Sequence, residues 1–92
     1  MIGTEHLLQR WEDEALGACH AANRAILLHA CDARMRAMTA GVLCERYARG
    51  CADRAIEETS PAWAVRYHHW HEAAVDWLQI ATVNNYRQLE GA

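Results

Sequence analysis

Four side chains on one helical arc carry the most chemistry in this chain: His68, His69, Glu72 and Asp76. His68–Glu72 and Glu72–Asp76 stand four apart and His69–Glu72 three apart, spacings that bring neighbours together on a helix surface. Imidazole and carboxylate are ligands for a divalent ion such as Zn, so this patch is the candidate metal site. A single helix face leaves the coordination shell incomplete, and a solvated polar face is the simpler reading. His71-Glu72-Ala73-Ala74-Val75 opens like the zinc-protease signature, but Val75 stands where the second histidine is required. No Glu has a His three residues later, so the di-iron bundle pattern is missing as well.

The cysteines Cys19, Cys31, Cys44 and Cys51 contain no C-x-x-C pair, which excludes a zinc knuckle and a thioredoxin-like motif. Cys44 and Cys51 share a helix face but lie about 10 Å apart along its axis. That separation is too great for one zinc or for an intrahelical disulfide. The expectation is four reduced cysteines acting as small hydrophobes. His29 continues a stripe begun by Leu8, Ala15 and Ala22 and reads as a core histidine. An enzyme site shared between subunits would have to use His29 or His71 as its base.

Composition removes more chemistry. All nine basic residues are Arg, so neither a P-loop lysine nor a lysine Schiff base is available. Ser60 is the only serine and lacks the glycines of a nucleophile elbow. With no complete catalytic constellation left, the chain reads as a non-enzyme. A net charge of −3 without a basic tract argues against nucleic-acid binding. Glu5 and the acidic run Glu12 to Glu14 are foreign to a secretory signal, and the apolar run Ala25 to Leu28 is too short to span a bilayer. The expected location is cytoplasmic, with no membrane partner.

The elements that must position these residues are helices. Eighteen alanines, and no window of alternating β-branched and aromatic residues, make the fold class all-α. Trp63, Trp70 and Trp77 recur every seven residues, with Tyr67, Ala74 and Ala81 four places after each, an a/d heptad seam. Thr4 is a candidate cap, Thr39-Ala40-Gly41 a candidate turn, and Ser60-Pro61 a strong helix start. The expected architecture is one domain over residues 1–92, a three-helix bundle with helices at about 4–38, 42–58 and 61–89. The first and third would be rods of about 50 and 40 Å, the middle one only about 25 Å.

The predicted core joins Trp11, Ala15, Ala18 and Ala22 of the first helix to Trp63, Tyr67, Trp70, Ala74, Trp77 and Ala81 of the third. Indoles would fill a shallow alanine groove. Leu27, Leu28, Cys31, Met35 and Met38 form a second apolar stripe on that first helix, so it needs cover on two sides. That stripe and the uneven rods predict a homodimer through these five residues. Function follows by elimination: a non-catalytic helical protein–protein interaction module. A small stoichiometric inhibitor or adaptor fits, such as phages and mobile elements direct at host assemblies like CRISPR–Cas. The alternative is a bundle that binds metal or a small ligand at His68, His69, Glu72 and Asp76.

Overall fold

A computed structural model describes the backbone of residues 2–91 and the side chains of residues 6–83. The chain folds as α1 (Ile2–Leu27), α2 (Ala33–Glu58) and α3 (Pro61–Gly91), with no strand among the described residues. Cys19 lies opposite Cys44 and Glu12 opposite Tyr47, so α1 and α2 run antiparallel. Gly41 meets Leu78 while Tyr47 meets Trp70, so α2 and α3 are antiparallel too. The result is an up-down-up bundle of 51 × 19 × 15 Å.

The first boundary departs from expectation. α1 stops at Leu27, not near residue 38, and Thr39-Ala40-Gly41 lies inside α2. The stop has no glycine or proline. His29 takes the left-handed conformation at φ 51°. Its amide donates to the Ile26 carbonyl and the Ala30 amide to the Ala25 carbonyl, the paired bonds of a Schellman ending. A non-glycine residue in that conformation costs about 1–2 kcal/mol, offset here by two satisfied carbonyls and by the packing the turn permits. His29 is therefore exposed at a helix end and does not continue a core stripe. Asp32 then precedes α2, its carboxylate 3.0 Å from Arg36 in the solvated pair that their spacing suggests.

The second boundary agrees. Thr59 at φ 49° closes α2 with the same bond pair, Thr59 to Ile56 and Ser60 to Ala55. The Ser60 carbonyl accepts from Ala64, and Pro61 opens α3. α1 begins at Ile2, so Thr4 lies inside the helix and is not its N-cap.

Helix order in space differs from the prediction. Among the described residues every close backbone approach between helices involves α2; α1 and α3 are not backbone neighbours. The tryptophans do face inward, but onto mixed clusters rather than an α1 groove. Trp63, Tyr67 and Trp70 pack with Trp11 on Leu8, Tyr47 and Cys51, while Trp70 and Trp77 pack on Ala15, Cys44 and Ala74. Ala15, Ala22, Ala74 and Ala81 are buried as expected; Ala18, Trp11, Tyr67 and the three α3 indoles are half-buried.

The reason is the sequence of α2. Ala37, Ala40, Cys44, Ala48 and Cys51 are fully buried, and Gly41 and Gly50 are buried with them. A Cβ on Gly41 would sit 2.8 Å from Leu78 Cγ and 3.3 Å from the Ala74 carbonyl oxygen of α3. A Cβ on Gly50 would meet Leu8 and Trp11 of α1. Each glycine thus opens one flank of α2 to a different neighbour. The three helices span 26, 26 and 31 residues, so the length mismatch that favoured a dimer does not exist.

These contacts order the glycines. Gly41→Leu or Gly50→Leu is expected to lower stability by about 1–3 kcal/mol through overpacking. Gly17, with open space around its Cα, should gain up to about 1 kcal/mol on Gly17→Ala. Urea unfolding of the three variants checks the order.

Candidate partner-binding surface

The turn that interrupts the first predicted helix also assembles the exposed apolar surface. Leu27 ends α1, Leu28 and Cys31 lie in the turn, and Met35 and Met38 stand in the opening turns of α2. They are not one stripe on one helix, as predicted, yet all five are exposed. Leu27 keeps 79% of its surface, Met35 70% and Leu28 67%. Val42, one turn beyond Met38, is exposed as well. Large aliphatic and thioether side chains left this open at a helical hairpin tip are a poor match for water. On α3, Val75, Leu78, Gln79, Thr82 and Val83 line an open apolar groove of about 420 Å³. Because Gly41 touches Leu78, this groove sits at the same end of the rod as the hairpin tip.

The proposed metal patch is exposed but does not converge. His68, His69, Glu72 and Asp76 all face solvent, and among the described residues no three His, Cys, Asp or Glu side chains come together around a common point. His69 lies edge-on to Trp70 and His68 tilts against Tyr67. His71 is the histidine with a built environment. It stacks on Tyr67 at 5.4 Å, and its Nδ1 lies 2.8 Å from Glu45 Oε2, which also receives Arg49 through its other oxygen.

Polar contacts cluster from the middle of the rod towards its other end. Glu12 Oε2 accepts the Tyr47 hydroxyl at 2.7 Å and Arg66 Nη2 at 3.0 Å, so one carboxylate oxygen ties α1 to both other helices. Burial, then the hydrogen bond to Glu12, pushes the Tyr47 hydroxyl well above its usual range, which keeps it a donor. Arg46 pairs with Glu14 and lies over the Trp11 ring. Arg54 and Arg66 flank Trp63 at 5.4 and 5.2 Å, and Arg54 also pairs with Glu58. Spacing within one helix does not name the partners of Glu12. One signal did exist: Glu12 follows Leu8 by four and precedes Ala15 by three, a carboxylate set into a buried face.

Cys19 and Cys44 are a second contact that spacing along the chain does not show. Their sulfurs lie 3.5 Å apart across the α1–α2 interface. A hydrogen bond from Cys44, reinforced by one from Trp77 and opposed by burial, brings the Cys19 thiol down to about 7. Cys44 moves up: its proton is held by Cys19, and it is buried. Cys51 is raised by burial beside Tyr47.

The sequence matches no protein-family model, and neither a curated protein nor a solved structure matches it significantly, so the reading of these surfaces rests on the chain itself. No helix among the described residues is long and apolar enough to cross a membrane.

The three-helix junction makes a direct prediction. Tyr47→Phe keeps the ring against Trp70 but removes a donor to a charged acceptor, which should cost about 1.5–3 kcal/mol. Chemical denaturation of the variant against the parent measures it.

Proposed function

We propose that this chain is a non-catalytic helical interaction module. Its hairpin tip docks on another protein, and it acts by occupancy, as a stoichiometric inhibitor or adaptor of a larger assembly. The observation that carries the reading is the exposure of Leu27, Leu28 and Met35 together at the α1–α2 turn, where the fold does not need them. Methionine suits such a surface because its unbranched, polarisable side chain adapts to a partner's shape. Arg24, Arg34 and Arg36 are exposed within a few residues of these anchors along the chain, and an apolar centre with a polar rim is the usual pattern of an interface.

A second copy of the chain is the competing occupant. The same five residues, Leu27, Leu28, Cys31, Met35 and Met38, would then form a self-complementary patch across a two-fold axis. Burying them in a homodimer would satisfy the same apolar surface and leave the α3 groove for a heterologous partner.

Leu28→Asp with Met35→Asp tests both. The double variant should keep the parent's helical circular dichroism and melting temperature, since neither side chain is in the core. Affinity capture from the source cell or its host should recover a protein with the parent and lose it with the variant. Light scattering of the two chains shows whether the lost contact was to a second copy. A variant that captures the same protein in the same amount contradicts the assignment of the surface.

A further inference from the structure

Two thiols face each other across the hairpin that presents this surface. Cys19 on α1 and Cys44 on α2 approach to 3.5 Å between sulfurs, while both remain free. Cys44 is fully buried and Cys19 only partly so, which makes Cys19 the more accessible residue of the pair. Ala15 and Ala74 complete the buried cluster, with Cys19 and Trp77 packed against it. A bond would need the sulfurs to close from 3.5 Å to about 2.05 Å. The other cysteines are placed differently. Cys51 lies buried against Tyr47, and Cys31 sits exposed in the turn.

We propose that Cys19 and Cys44 form a redox modification site in which a peroxide converts the pair to a disulfide linking α1 to α2. The Cys19 thiolate attacks one oxygen of hydrogen peroxide; the O–O bond breaks, and the departing hydroxide takes a proton to become water. Cys19 is then a sulfenic acid. The Cys44 sulfur attacks the Cys19 sulfur, the S–O bond breaks, and the hydroxide leaves as water with the Cys44 thiol proton. Two thiols are oxidised by two electrons in all, and one peroxide is reduced to two waters. The partly exposed Cys19 is the attacking sulfur and the buried Cys44 the resolving one. The bridge closes the hairpin covalently and fixes the frame that carries Leu27, Leu28 and Met35. It holds whatever the hairpin tip binds.

The test uses the full chain carrying Cys31→Ser, which removes indiscriminate surface oxidation. The folded protein is treated with hydrogen peroxide, alkylated, digested without reduction and mapped by mass spectrometry. The expected product is a Cys19–Cys44 linked peptide that dithiothreitol dissolves, with Cys51 recovered as a thiol and the melting temperature of the oxidised chain raised by several degrees. Adding Cys44→Ser should replace the link with a sulfenic acid at Cys19 that dimedone traps. Recovery of both Cys19 and Cys44 as alkylated thiols overturns the proposal, as does over-oxidised Cys19 without a link or a bridge to Cys51. The map of the intact pair decides the matter by itself should the serine variant fail to fold.

Discussion

The structure depends on how closely two helices can approach α2. That helix offers almost no bulk. Alanine, cysteine and glycine fill its inner positions, so its axis can lie near α1 on one flank and α3 on the other. The large side chains come from outside: Leu8 and Trp11 from α1, the tryptophans and Leu78 from α3. A helix poor in bulk contributes little apolar area itself. It gains stability because its neighbours bury their own rings against it. Tyr47 is the one large residue buried on α2, and its ring meets Trp70 edge to face at 5.2 Å.

Close packing of smooth helices leaves their register weakly specified, and polar contacts supply what shape does not. The Glu12 oxygen that accepts from Tyr47 and Arg66 fixes α1 relative to both neighbours at one level of the rod. Arg46 with Glu14 and His71 with Glu45 repeat the device on the two separate interfaces. Exposed pairs of this kind add little stability, but a wrong register would leave the half-buried Glu12 without donors. At the hairpin tip such cross-helix restraints give way to exposed apolar side chains. The middle of the molecule is thus latched and the tip presented.

Much of this was legible in the residues alone. The alanine content and the absence of strand patterns gave an all-helical chain, and Ser60-Pro61 marked the start of α3 at the right residue. Helical spacing puts Leu43, Cys44, Tyr47, Ala48, Cys51 and Ala55 on one stripe, of which the middle four are buried and the two ends half-buried, and the i,i+4 offsets Glu45–Arg49 and Arg54–Glu58 are ion pairs. What misled was Gly41. A glycine beside Thr39 and Ala40 reads as a turn, but here it makes room for Leu78 inside a helix. The actual turn uses His29 in a left-handed conformation that its side chain does not advertise. From that one boundary follow the false length mismatch and the exposed placement of His29; the pairing of the indoles with α1 came instead from its alanine row, which α2 matches with small residues of its own. The Cys19–Cys44 and Glu12–Tyr47–Arg66 contacts were out of reach for a different reason. They depend on register between helices, which periodicity within one helix does not contain.

Native-state hydrogen exchange, resolved by residue, measures most directly whether α2 is the helix the others are built on. The amides of α2 from about Ala40 to Cys51, covered on both flanks, should exchange slowest and only through global unfolding. Those of α1 and the far end of α3 should open at lower free energy. Slowest exchange in α1 or α3, with α2 opening early, would contradict the account.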